Sequence, residues 1–161
     1  MTALAITAFA SNSLICRAAL GPGLIDPATF TTVRLVSAAA VLAVVVFVRR
    51  GHLPQLSFGD WRAAGALFAY AVFFSFGYVL LTTGTGALIL FGSVQLTMFA
   101  WAFYEGERFT AFAWGGLALA AGGLVWLVLP GLEAPDPLGA LFHTISGAAW
   151  GVFSLLIRGA K

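Results

Sequence analysis

Two stretches place chemistry-bearing side chains at helical spacing. Tyr70, Phe74 and Tyr78 recur every four residues, and so do Phe91, Gln95, Phe99 and Phe103. Residues four apart share one face of a helix. Aromatic faces that carry a few amide and hydroxyl groups suit a small amphipathic substrate. Ser75 accompanies the first stripe and Gln95 lies within the second, while Asn12 and Trp150 fall near the middle of other apolar stretches. Each has a plainer structural reading as well. The rings can pack against lipid or neighbouring helices, and Asn12 and Gln95 can bond between helices for ~0.6–2 kcal/mol each. Residue by residue the structural reading is preferred; for the set Asn12, Tyr70, Phe74, Ser75, Gln95, Phe99 and Trp150, substrate binding is.

Arg17 and Arg34 are the basic residues that fall within apolar stretches. They either form a vestibule for anionic or zwitterionic substrate, or snorkel to headgroups and pair with Asp26. Glu105 and Glu107 stand at the turn into a helix, where acidic side chains favour the N-terminus, so capping and turn formation are preferred to proton carriage. His52 and His143 form no recognisable metal-ligand pair, and the single Cys16 excludes an internal disulfide. No cofactor is expected. His-Glu-x-x-His is absent, and the only lysine is Lys161, so no phosphate-binding loop ending in Gly-Lys-Ser/Thr exists. The acidic residues all lie between apolar stretches, which argues against an intramembrane enzyme.

The elements that must position these residues follow from composition. The chain has 161 residues, 61% of them hydrophobic and 9% charged, with a mean hydropathy of +1.00. Soluble domains are ~25% charged, and 8 Lys+Arg with 6 Asp+Glu could not cover a soluble surface of this size. Disorder is equally excluded. Lipid is the expected solvent, which requires spanning helices or a closed barrel. The apolar stretches are long runs, so helices are expected. The net charge of +2 gives no indication of nucleic acid as a partner.

Charge-free gaps mark the spans. Arg62 to Glu105 holds about two, with Thr82-Thr83-Gly84-Thr85-Gly86 as the expected turn between them. Arg108 to Glu133 and Asp136 to Arg158 hold one each, and Pro22, Gly23 and Pro27 separate the first two. The expected spans are Met1–Leu20, Phe30–Val48, Ala63–Thr82, Gly86–Tyr104, Phe112–Leu129 and Leu138–Ile157. Ala8-Phe9-Ala10 has the look of a signal-peptide cleavage site, but no basic residue precedes Arg17, so the first stretch is read as a span. With six spans, Arg49, Arg50, Arg62, Arg108, Arg158 and Lys161 share one side, and Asp26, Glu133 and Asp136 lie opposite. The positive side is cytoplasmic, so both termini are expected there. Trp61, Tyr104 and Trp126 fall near span ends, as interfacial aromatics do. Pairs such as Gly147/Gly151 and Gly116/Ala120 signal close helix packing.

Ser13-Leu14-Ile15-Cys16-Arg17-Ala18-Ala19 resembles Ser154-Leu155-Leu156-Ile157-Arg158-Gly159-Ala160. Chance matching of small and apolar residues is one explanation. The other is a five-helix repeat whose next copy is inverted, since an odd unit reverses its orientation.

Taken in order, several segments are similar to the EamA-type drug/metabolite transporter superfamily. These are Ala10-Ser11-Asn12-Ser13-Leu14-Ile15-Cys16-Arg17, Pro27-Ala28-Thr29-Phe30-Thr31-Thr32-Val33-Arg34, a basic loop closing on Asp60-Trp61, Gly106-Glu107-Arg108-Phe109-Thr110, and the glycines at Gly115-Gly116 and Gly122-Gly123. The resemblance covers essentially the whole chain. It implies an all-α polytopic membrane bundle. Residues 1–130 would form one five-helix repeat, and residues 131–161 a loop and the first helix of an inverted second repeat. It further implies a secondary transporter in a bacterial inner membrane, exporting a small metabolite, amino-acid-like compound or drug. That family has ten helices, so the chain is expected to be a fragment or truncated reading frame. A homodimer or a missing C-terminal half would complete it. The competing reading is a non-catalytic membrane subunit or half-transporter acting with a partner chain. No carboxylate falls within a span, which argues against proton coupling through Asp or Glu.

Overall fold

The computed structural model describes residues 2–52, 61–128 and 135–159. Among them there are six α-helices and no strand: α1 (Thr2–Leu20), α2 (Pro27–Arg50), α3 (Trp61–Tyr78), α4 (Thr83–Tyr104), α5 (Ala111–Val128) and α6 (Pro137–Gly159). The protein is all-α. Three of its helices, α2, α4 and α6, are long and apolar enough to cross a membrane. The expected Asp60, Glu133 and Lys161 positions lie outside the described residues.

The chain divides into two units, residues 1–61 and 62–161. In the first, α1 closes with Gly21 N–H donating to Arg17 O at 3.0 Å. α2 begins three residues before the expected Phe30, because Asp26 caps it. The Asp26 carboxylate accepts from the Thr29 amide at 2.9 Å, and Pro27 occupies the first turn, where its missing N–H leaves no bond unmade. The hydrogen bonds from Thr29 hold the Asp26 carboxyl below its ordinary range. At the other end Gly51 adopts φ 73°, a left-handed cap whose N–H reaches Phe47 O at 2.8 Å. Cys16, Leu20, Phe30 and Thr31 are buried in this unit. The valines of α2 are largely exposed, with Val41, Val44 and Val48 all more than half accessible.

The second unit holds the other four helices. α3 stops at Tyr78, four residues before the expected end, and α4 starts at Thr83. Thr82 caps α4: its hydroxyl accepts from the Thr85 amide at 3.4 Å. The expected Thr82–Gly86 turn is therefore the cap and first turn of α4, and the chain reverses over residues 79–82. The turn after α4 is made by Gly106 at φ 82°, with Glu105 as the C-cap. α5 is capped by Thr110, whose hydroxyl accepts from the Ala113 amide at 3.3 Å. Glu105 and Glu107 thus form the turn, as expected, while the side-chain cap of α5 comes from Thr110. α6 repeats the Asp-Pro start of α2, with Gly139 N–H donating to the Asp136 carboxylate at 2.8 Å.

Candidate functional site

α4 is apolar all round, so sequence periodicity cannot choose the face that packs. The structure chooses the small residues. Gly86, Leu90, Ser93 and Thr97 of α4 meet His143, Gly147 and Gly151 of α6. A methyl group at Gly147 would lie 2.5 Å from Leu90 O and 2.7 Å from Ser93 Cβ, and one at Gly151 would lie 2.9 Å from Thr97 Cβ. The backbones approach as closely as small-residue pairs allow. The expected role of Gly147/Gly151 in close packing is observed. Among the described residues, a methyl group at Gly116 would meet nothing within 4 Å.

This approach sets α6 against α3 as well. The Tyr70 and Trp150 rings lie 4.8 Å apart, and Tyr70 and Phe74 are 5.7 Å apart. Phe74 continues to Tyr78 at 5.6 Å and to the His143 ring at 5.9 Å. Ser146 Oγ–H donates across the helices to Tyr70 O at 3.0 Å, and both residues are buried. Ser75 is fully buried too, but its hydroxyl donates within α3 to Ala71 O at 2.9 Å. At the α3–α4 end, Thr82 Oγ–H donates to Thr85 Oγ at 3.0 Å, and the Tyr78 and Thr83 hydroxyls are 3.4 Å apart. The centre of the second unit is thus an aromatic cluster bounded by hydroxyls and one imidazole, with no Asp, Glu, Lys or Arg among its members.

Of the residues expected to bind substrate, Tyr70, Phe74 and Trp150 come together here, with Ser75 alongside on α3. Gln95 and Phe99 do not join them. Gln95 is exposed. Phe99 stacks on Phe109 at 4.4 Å and lies 5.8 Å from the Trp114 ring, forming a separate cluster where α4 meets α5. Asn12, Arg17 and Arg34 belong to the first unit. Asn12 and Arg34 are half-buried and Arg17 is exposed. Arg34 donates a long hydrogen bond, 4.0 Å, to the buried Cys16 sulfur, while Asp26, its expected partner, uses its carboxylate for the cap.

Ser146 and His143 are members that residue type alone did not single out. The available signal was spacing: Gly139, His143, Gly147 and Gly151 follow every fourth residue, which puts the imidazole in register with three glycines. A second feature, a cleft of about 520 Å³, opens between the C-terminal ends of α4 and α6. It is lined by Trp101, Glu105, Glu107, Val152, Leu155, Leu156 and Arg158. Carboxylates, a guanidinium and an indole facing apolar side chains can hold a charged amphiphile there.

No family model matches the chain, and no solved structure does. The chain is 50% identical over 159 residues to the uncharacterized protein PA1977 of Pseudomonas aeruginosa. The match covers 99% of this chain and 55% of that relative, so the chain spans about half the relative's length.

Proposed function

We propose that the protein is a secondary transporter of a small amphipathic metabolite, amino-acid-like compound or drug. It acts as an exporter in a bacterial inner membrane, with all six helices crossing and both termini cytoplasmic. The observation that carries this reading is the Tyr70–Phe74–Trp150 cluster bounded by Ser75, Ser146 and His143. It is a set of rings and hydrogen-bonding groups deep within helices that otherwise expose apolar side chains. Polar groups at that depth are costly in lipid, and transporter sites gather near the midplane at helix interfaces. The resemblance to EamA-type transporters adds the arrangement of one five-helix repeat followed by the first helix of an inverted second. No step here needs an enzyme's nucleophile or a resident cofactor.

The test is counterflow in proteoliposomes loaded with ethidium or with a neutral amino acid. Labelled probe should enter loaded vesicles faster than protein-free ones, and Trp150→Ala should remove at least tenfold of that rate while the helical content persists. Counterflow equal to that of empty liposomes for both probe classes, with folded protein, contradicts the reading.

A second reading, a half-transporter or structural subunit joined to another chain, draws on α5. Among the described residues, a methyl group at Gly115, Gly116, Gly122 or Gly123 would meet nothing within 4 Å, and glycine faces of this kind suit close packing against a further helix. Purification of a defined dimer or hetero-complex in mild detergent, with no counterflow by the isolated chain, would favour it.

A further inference from the structure

His143 is 2% exposed, and it occupies a notch that exists because two facing residues are glycines. A methyl group at Gly77 of α3 would collide with the imidazole Nδ1, and one at Gly86 of α4 would lie 2.8 Å from Nε2. Two helices therefore leave out side chains around one ring. An aliphatic side chain would fill such a notch without the desolvation that an imidazole incurs.

The hydrogen bonding is one-sided. Nδ1 lies 3.2 Å from Gly139 O, and a carbonyl only accepts, so Nδ1 carries the proton and Nε2 presents a lone pair. Among the described residues Nε2 has no donor. No sealed side-chain nitrogen or oxygen among those residues lacks a partner, so Nε2 keeps a narrow access. Its position supplies the route. Gly139, one turn before His143, lies against Leu80 and Leu81 of the α3–α4 loop, so the imidazole sits about one turn beneath that loop.

The groups facing the ring are few. α3 contributes Phe74 and Gly77, with the Tyr78 hydroxyl one ring further on. α4 contributes Gly86, next to buried Thr85. α6 contributes the Gly139 carbonyl, and Asp136 lies two turns away capping the helix. Arg62 and Arg158 stand at the opposite ends of α3 and α6. Among the described residues, no fixed charge therefore pairs with the ring. The carbonyl and the face of Phe74 are what receive an imidazolium there.

We infer that His143 Nε2 is the proton-binding site of the bundle, loaded from the side of the α3–α4 loop. The lone pair of Nε2 takes a proton from water, and Nδ1–H stays on Gly139 O. The proton returns to water when the notch opens to the other side. In the proposed orientation the loading side is the outer one, so proton entry opposes substrate export. This coupling role rests on the transporter reading; proton binding itself does not.

The test uses the full chain with His52→Gln, which leaves His143 as the sole histidine, labelled with ¹⁵N in the ring and placed in micelles. At high pH the ring should show one protonated and one bare nitrogen. As pH falls from about 8 to about 4, the range in which imidazoles in proteins titrate, a single step should convert both to the protonated form. A ring that stays neutral across that range overturns the proposal, whatever transport is observed. In proteoliposomes, a pH gradient should accelerate ethidium flux in the wild type. His143→Gln should abolish the acceleration, so that its flux is the same with and without the gradient, while its helical circular dichroism matches the wild type. That match shows that the variant folds. Full gradient drive in His143→Gln overturns the coupling role. A clean titration without any counterflow removes the transporter reading and leaves the proton site standing.

Discussion

Gly147→Ala isolates the contact on which the second unit depends. The added methyl would lie 2.5 Å from Leu90 O, 2.7 Å from Ser93 Cβ and 3.3 Å from the Leu90 carbonyl carbon. Two of these are backbone atoms of α4, so no side-chain rotation relieves the clash and the helices must separate. Overpacking of this kind costs about 1–3 kcal/mol. Alanine is also the better helix former by about 1 kcal/mol, which would hide part of the loss if Gly147→Ala were measured alone. Gly116→Ala in α5 provides the reference, because it makes the same substitution within a helix and meets nothing within 4 Å. The propensity gain is common to both and cancels. Unfolding of each variant in mixed dodecylmaltoside–SDS micelles, followed by helical circular dichroism, should place Gly147→Ala about 1–3 kcal/mol below Gly116→Ala. The Tyr70–Trp150 contact should loosen in parallel, visible as a change in Trp150 fluorescence. Equal stabilities for the two variants would refute the packing of α6 on α4 through this face.

Ser146→Ala removes the hydroxyl that bonds across to Tyr70 O, and the same unfolding assay should register a loss of about 0.6–2 kcal/mol. Ser75→Ala removes a bond made within its own helix and should register close to none. Asp26 gives the pH dependence. Its carboxyl is held below its ordinary range by Thr29, so the cap is fully present above the unfolded value of about 3.9 and is lost as pH falls through the lower folded value. The Thr29 amide should stay protected from exchange at pH about 5 and lose protection only in stronger acid; protection independent of pH would contradict the cap. Cys16 is fully buried beside Arg34, so maleimide should label it only after denaturation, and rapid labelling of the folded chain would contradict the packing of α1 on α2.

The helices were legible because charges are rare: each long gap between charged residues holds one or two helices in the structure. Their ends were less so, and the α3–α4 reversal shows why. Gly84 and Gly86 read as turn residues, but glycine serves turns and close packing alike. Here Gly86 lies inside α4 to make room for His143. The candidate site was legible only where one stripe decided it. Tyr70 and Phe74 lie on the packed face of α3. On α4, aromatic and small faces compete, and the glycines of α6 select the small one, which leaves Gln95 exposed and turns Phe99 toward α5. Ser146 was missed because a serine among small residues carries no signal until the carbonyl opposite it is known.

Cysteine accessibility in intact cells tests the membrane-spanning arrangement most directly. In a Cys16→Ala background, the proposed topology puts single cysteines at His52→Cys and Glu107→Cys on the basic side, and Leu24→Cys and Pro135→Cys on the other. All four positions are exposed. An impermeant maleimide added outside spheroplasts should label positions 24 and 135 only, and inside-out vesicles should reverse the pattern. Labelling of all four positions from the same side would contradict an account in which the helices cross the membrane.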